Sequence, residues 1–276
     1  LGEFDGRRAL VVEIADDDRG ALRPADGENL AVAARTAREQ RLPLVCFVSS
    51  LGAAIDEGVA AVHGWGIAAR EFVACSGLVP MVFCVTGPTV SGPALLLGLA
   101  DVVVMVTDTY AFVSGPRMVE HFTGEKLTNE KLGGTAIHFR TSGVAHFTVA
   151  DRAEADELIG ELLSYLPDHA DDEPPRWPCT DPVDRATPEA GDLIPASTTG
   201  SYDVRSVMTC IVDDGHLLEP RSEWASNLVT ALATIGGRPV GLVANQPQSV
   251  AGTLDIGASQ KGARFVAFCD AFNLPL

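Results

Sequence analysis

The sequence predicts an α/β protein whose strands pair in parallel and whose opening pattern occurs twice. Residues 8–48 read as strand, helix, strand, the spacing of a βαβ unit. Residues 82–97 read as a buried strand, a glycine-rich turn and an apolar helix. The order glycine-arginine, strand, helix, Leu-Pro-Leu recurs late in the chain at nearly the same spacing.

Taken in order, residues 8–13 form the first strand and 16–27 a polar loop. A helix follows from Asn29, because Leu30, Ala33, Ala34 and Ala37 stand at i, i+3, i+4 and i+7. Leu42-Pro43 leads into a second buried strand at 44–48, and Ser49-Ser50-Leu51-Gly52-Ala53-Ala54 is a loop. A long helix over about residues 55–76 places Ile55, Val59, Val62, Gly66, Ala69 and Val73 on one apolar side. After the strand at 82–85, Gly87, Pro88 and Gly92 punctuate a turn. Ser91 can cap the next helix, and Pro93 suits its first turn, where a missing N–H is harmless. Such a turn aims backbone N–H groups at one point and would hold an oxygen gaining negative charge. A tight strand-to-helix connection with no ligand is the default for a single glycine turn.

Strands follow at 102–106 and 111–113, with a helix after Ser114-Gly115-Pro116. Gly133-Gly134 and Thr141-Ser142-Gly143 mark loops. From Glu154 an amphipathic helix carries Ala155, Leu158, Ile159, Leu162, Leu163 and Leu166 on one face, and Pro167 ends it. Residues 168–200 are acidic and proline-rich and read as an extended linker. Then Gly237-Arg238-Pro239-Val240-Gly241-Leu242-Val243 echoes Gly6-Arg7-Arg8-Ala9-Leu10-Val11-Val12. A helix from about Ser259 carries Phe265, Phe268, Cys269 and Phe272, and Leu274-Pro275-Leu276 echoes Leu42-Pro43-Leu44. The expected organisation is a first domain at 1–167, a linker at 168–200, and the start of a second, duplicated domain at 201–276. A sheet stopped there would leave an apolar edge unpaired, so the chain is expected to be part of a longer protein.

Composition bounds the function. The 276 residues are 46% hydrophobic, enough for a large core. A net charge of -17 argues against nucleic acid and anionic membrane as partners, since phosphates would be repelled. No apolar run reaches membrane-spanning length, and no signal peptide opens the chain. The six cysteines lack CxxC spacing and read as reduced thiols of a cytoplasmic protein, with no metal site expected.

Several motifs carry a resemblance. They are Asp108-Thr109-Tyr110-Ala111-Phe112-Val113-Ser114-Gly115-Pro116, Leu132-Gly133-Gly134, Thr141-Ser142-Gly143-Val144-Ala145-His146, Val243-Ala244-Asn245-Gln246-Pro247, Leu254-Asp255-Ile256, and Lys261-Gly262-Ala263-Arg264-Phe265-Val266. In this order they resemble the carboxyltransferase (β) subunit of biotin-dependent acyl-CoA carboxylases, of the propionyl-CoA and acetyl-CoA carboxylase type. The resemblance implies a duplicated crotonase-like fold (the ClpP/crotonase class), each copy a β-spiral flanked by helices, with the second copy truncated here. It implies transfer of CO2 from carboxybiotin to the α-carbon of a short-chain acyl-CoA through a backbone-stabilised enolate. Biotin would ride on a separate carrier, with a biotin carboxylase as partner and the chain in a homo-oligomer.

Under that resemblance the oxyanion turn falls on Ser91 and Gly92, whose backbone N–H groups would hold the enolate oxygen. Gly87 would let the chain turn closely beneath it, and Ser50, Gly52 and Ala53 would meet the acyl-CoA. The biotin ureido nitrogen would accept the α-proton, which fits a sequence with no evident nucleophile, triad or metal cluster. Three departures stand out. Serine replaces a glycine at 91, Ser49-Ser50-Leu51-Gly52-Ala53-Ala54 lacks the acid, one glycine and the arginine usual there, and Asp16-Asp17-Asp18-Arg19-Gly20 replaces a glycine-rich approach. Two rivals follow: a CoA-ester decarboxylase of the same fold, and a non-catalytic scaffold subunit. His138, His146 and the tryptophans Trp65, Trp177 and Trp224 read as structure; Lys261 and Arg264 could meet CoA phosphates, but a solvated helix face is the simpler reading.

Overall fold

The computed structural model describes residues 1–14, 21–182, 184–197 and 200–276; the Asp16–Gly20 departure lies outside them. The chain divides into two compact units, Leu1–Leu163 and Ser164–Leu276.

The first unit is an α/β layer structure. Its elements are β1 (Gly2–Phe4), β2 (Arg7–Ile14), β3 (Ala21–Leu22), α1 (Pro24–Gln40), β4 (Leu44–Ser50), β5 (Gly52–Ala53), α2 (Val59–Cys75), β6 (Met81–Val90), α3 (Gly92–Leu96), β7 (Val102–Val106), β8 (Ala111–Phe112), α4 (Pro116–Thr123), α5 (Asn129–Gly133), α6 (Thr135–Ile137), β9 (Phe147–Val149) and α7 (Arg152–Tyr165). The main sheet runs β1-β2-β4-β6-β7-β9, with β8 also on β6. Only β1 is antiparallel, and β3 pairs β5 in a separate small parallel sheet. Strands β4, β6 and β7 read Leu-Val-Cys-Phe-Val, Met-Val-Phe-Cys-Val and Val-Val-Val-Met because both sheet faces are covered. Phe47, Phe72 and Phe83 are fully buried, each contributing about 1.5–3 kcal/mol relative to exposure. Asp151 and Glu154 form a reciprocal cap at the start of α7, accepting the N–H groups of Glu154 and Ala150.

Helix α2 corrects the sequence reading. Ile55, Val59, Val62 and Val73, placed inward by periodicity, are 94%, 84%, 60% and 54% exposed. The buried side is instead Ala61, Gly64, Ala68, Phe72 and Cys75. Small residues win that face because α1 crosses it at backbone contact. A Cβ on Gly64 would stand 2.9 Å from the Pro24 backbone, and one on Gly27 2.7 Å from the Gly64 Cα.

The second unit holds α8 (Pro188–Asp192), α9 (Val204–Ile211), β10 (Leu228–Ile235), β11 (Arg238–Asn245) and α10 (Ile256–Ala271). β10 and β11 form an antiparallel hairpin joined by Gly236-Gly237, both at positive φ, the geometry that matches strand twist. The Asp213 carboxylate accepts both turn N–H groups, at 2.9 and 2.8 Å. The acidic, proline-rich stretch is tied to this unit. Trp177 N–H donates to Gly237 O at 2.8 Å, and Asn273 Nδ2 donates to Ala170 O and Asp172 O. Asp255 caps α10 by accepting the Ala258 N–H at 2.8 Å. Lys261 is not on a solvated face but 1% exposed. Its Nζ donates to Arg221 O and Trp224 O at 2.9 and 3.1 Å, and burial pulls its pKa down to about 8.

Candidate active site

Strand β6 carries the chain to the site and is longer than the sequence suggested. It runs through Gly87 and Pro88 to Val90, because β8 pairs its extension through Thr89↔Ala111 and Val90↔Phe112. A register shift between Val48 and Ser50 lets β4 follow it. Gly87 is therefore a point of close strand approach and not the turn itself. A Cβ there would strike the Ser49 side chain, with Ser49 Cβ only 2.9 Å away. Thr89 Oγ1 donates to Val48 O at 3.3 Å and locks the same crossing.

The turn is concentrated in Ser91, which adopts φ 64° and ψ −126°. That backbone favours glycine, and holding serine there costs about 1–3 kcal/mol. Its N–H donates to Phe112 O at 2.9 Å. The expected donor pair Ser91 and Gly92 is thus corrected: the Ser91 amide is already spent on the strand ladder. The Ser91 side chain makes no capping bond to α3 either. Gly92 opens α3, where an N–H has no intrahelical acceptor, and no other acceptor meets it among the described residues. Gly92 is glycine for space, not for φ. A Cβ on it would lie 3.0 Å from both Cε2 and Nε1 of the Trp65 indole.

The loop after β4 reaches the same place. Gly52 sits at φ +101°, and a Cβ on it would lie 3.0 Å from Ser91 Cβ and 3.4 Å from Val90 O. Ser50 is buried, and its Oγ accepts the Gly52 N–H at 3.2 Å, so its side chain serves the loop. Ala54 N–H donates to Leu22 O at 2.9 Å. Successive N–H groups of an extended strand point to opposite sides, which turns the Ala53 N–H away from β3. The fold thus brings Gly52, Ala53, Ser91 and Gly92 together, with Ser50 and Gly87 bracing them from behind.

Trp65 is the site residue that sequence reasoning assigned to packing. It is half-buried on α2 and packs against the core that holds β4 and β6. No sequence signal marks it, since the contact runs across elements 27 positions apart. His138 pairs with Ala111 O and Ser142 Oγ, both at 2.8 Å, and His146 Nδ1 accepts the Val103 N–H at 3.0 Å; both tie down strands. Among the described residues no group of three or more His, Cys, Asp or Glu could hold a metal ion, and no helix is long and apolar enough to cross a membrane. Cys46, Cys75, Cys84 and Cys269 are buried free thiols, and burial pushes Cys75 up to about 11 and Cys84 and Cys269 up to about 12. Cys179 is exposed.

Comparisons place this architecture. Residues 1–276 match the carboxyl transferase domain family. The propionyl-CoA carboxylase carboxyltransferase subunit of Haloferax mediterranei is 38% identical over all of this chain and 54% of its own length. The methylmalonyl-CoA decarboxylase subunit alpha of Veillonella parvula is 35% identical, again over all of this chain and 54% of its own length. The transcarboxylase 12S subunit, solved as a hexamer with hydrolysed methylmalonyl-coenzyme A bound, superposes at a TM-score of 0.90 and 37% identity, over 93% of this chain and 50% of that one. The chain spans about half the length of the curated relatives it matches. The expected crotonase-like carboxyltransferase fold is therefore the observed one, and the chain belongs to the carboxyl transferase domain family.

Proposed function

We propose that the protein containing this chain is the carboxyltransferase of a biotin-dependent acyl-CoA carboxylase, acting on a short-chain acyl-CoA. The observation that carries the reading is the open Gly92 N–H beside the bare Gly52–Ala53 edge. Loss of the α-proton turns the thioester oxygen into an enolate, and a preorganised N–H at that oxygen lowers the barrier. Gly92 is the donor in this reading, and the Ala53 N–H meets the acyl-CoA chain along the neighbouring edge. The residues fit such a ligand, because the Gly92 N–H at the start of α3 has no acceptor of its own among the described residues and the Ala53 N–H is turned away from β3. Carboxybiotin, when bound, supplies the CO2 and a ureido nitrogen that takes the α-proton. This chain's part is to orient the thioester and hold its oxygen. A biotinylated carrier, a biotin carboxylase and a second copy of the subunit are the partners this chemistry requires, and the cytoplasm is the proposed location.

The decarboxylase reading has one specific support, the 35% identity to a methylmalonyl-CoA decarboxylase subunit. Enolate stabilisation serves both directions. The test is turnover by the full-length protein with its biotinylated partner on acetyl-, propionyl- and butyryl-CoA, alongside CO2 release from methylmalonyl-CoA. Carboxylation of at least one acyl-CoA is expected. CO2 release without any carboxylation transfers the assignment to the decarboxylase. Neither activity from an intact assembly leaves the scaffold role.

A further inference from the structure

We propose that Arg35, Arg38 and Arg70 form a binding site for a phosphate group on the seam between α1 and α2. The three guanidinium groups converge on one carboxylate, that of Glu71. Arg35 Nη2 and Arg70 Nη2 donate to its Oε1 at 3.3 and 2.8 Å, and Arg38 Nη2 stands 3.5 Å from Oε2. The fold makes this convergence. Helices α1 and α2 cross at backbone distance near Gly27 and Gly64, which traps the Glu71 side chain against α1 at 8% exposure. Arg35 and Arg38 are one turn apart on α1 and face it together, and Arg70 reaches it from α2. The arginines lie on the outside, with side chains 44%, 31% and 71% exposed.

The charges here do not balance. Three guanidinium groups on one carboxylate leave two positive charges over, in a chain whose net charge is -17. Elsewhere the ratio is reversed. Arg23 meets Asp56 and Glu57, Arg152 meets Glu13 and Asp156, Arg185 meets Asp181 and Glu189, and Arg205 meets Asp203 and Glu219. One arginine suffices to accompany a buried carboxylate, and the other two repel it and each other unless an anion joins them. Among the described residues, Arg35, Arg38 and Arg70 meet no carboxylate except Glu71. A guanidinium is a fork of N–H donors, and one carboxylate cannot fill three forks. Arg35 Nη2 and Arg70 Nη2 share Oε1, so they stand no more than about 6 Å apart, while a phosphate reaching two donors at about 2.9 Å spans up to about 8 Å. A phosphate fits this surplus better than a carboxylate, because it brings a second charge and a third oxygen for Arg38. Glu71 also holds the guanidinium groups in advance, which lowers the ordering cost of binding. Coenzyme A and free phosphate metabolites both carry the group, so the phosphate itself is the shared chemistry.

The test is equilibrium dialysis of the full-length protein against ³²P-labelled inorganic phosphate. Saturable binding is expected, weakened at least tenfold in Arg35→Gln/Arg70→Gln. Arg117→Gln, an exposed arginine on α4, should leave it within twofold. No saturable binding up to about 10 mM overturns the proposal, as does a double variant within twofold of the unsubstituted protein. The arginines are then counterions of Glu71 and nothing more. Should the double variant fail to fold, phenylglyoxal, which modifies exposed guanidinium groups, answers the question on the unsubstituted protein. Saturating phosphate is expected to slow modification of Arg35 and Arg70 at least fivefold by peptide mass spectrometry, with Arg117 unaffected. Equal modification of Arg35 and Arg70 with and without phosphate overturns the proposal. Unlabelled coenzyme A separates the two sources. Displacement of the labelled phosphate assigns the site to the coenzyme's phosphates; retention of the label assigns it to a free phosphate compound.

Discussion

Residues 2–44 and 233–276 build the same backbone frame and fill it in opposite ways. Each begins with a hairpin closed by a two-residue turn at positive φ, Asp5-Gly6 between Phe4 and Arg7, and Gly236-Gly237 between Ile235 and Arg238. Each strand is followed by a helix that ends on a left-handed residue, Arg41 or Asn273, at φ 55° and 56°. The next N–H then reaches back into the helix, Leu42 to Ala37 O and Leu274 to Cys269 O, both at 2.9 Å. The Leu-Pro-Leu segment closes the frame identically: Leu10 N–H donates to Pro43 O and Gly241 N–H to Pro275 O, both at 2.8 Å. The interiors differ. α1 buries Gly27, Leu30, Ala31, Ala34 and Ala37, whereas α10 buries Ala258, Lys261, Phe265 and Cys269. In the first copy α2 is laid across the helix at backbone distance, which only small residues permit. In the second copy α10 lies on β10 and β11, and large side chains fill the space. Gly241 is bare because Cys269 Sγ, Leu276 Cδ2 and the Phe265 ring, 2.6, 3.0 and 3.1 Å from its missing Cβ, fill that space. Turns and caps set the frame; the neighbour decides the filling.

The largest break in this comparison should come from Phe265→Ala, which empties the second copy's filling. It is expected to cost about 3–5 kcal/mol in urea unfolding followed by far-UV circular dichroism. A loss under 1 kcal/mol would mean that the aromatic filling is dispensable. Gly27→Ala comes next. In an ordinary helix the change gains up to about 1 kcal/mol, but here the added methyl meets the Gly64 backbone, so a net loss of about 1–3 kcal/mol is expected. Ser259→Ala, exposed at the corresponding place on α10, should shift stability by less than about 0.5 kcal/mol. Equal effects at the two positions would contradict the close-crossing account. The smallest contrast sits in the hairpin turns. Both Gly6→Ala and Gly237→Ala carry the strain of positive φ, about 1 kcal/mol. Only Gly237 also meets the Trp177 carbonyl and Cys179, while nothing lies within 4 Å of a Cβ on Gly6. Gly237→Ala should therefore cost about 1 kcal/mol more.

The element order, the parallel pairing and the duplicated frame were legible in the sequence. They rest on local chemistry: apolar runs too short for helices, glycine at turn positions, and a proline after each helix end. The motifs that point to the family were legible for the same reason, and they located the turn at 91–92 and the loop at 49–54. Tertiary structure alone decided which face of α2 is buried, because periodicity reports that a face is apolar but not what covers it. Valine and isoleucine outweighed alanine and glycine in that reading, yet close helix contact selects the smaller residues. It decided the fate of Lys261, whose charge suggested solvent until the carbonyls of residues 221 and 224 were in reach. It also decided which amide at the site is open. The acceptor that claims Ser91 lies 21 residues away on β8, and the indole beside Gly92 comes from α2, so neither pairing exists until the strands and helices have assembled.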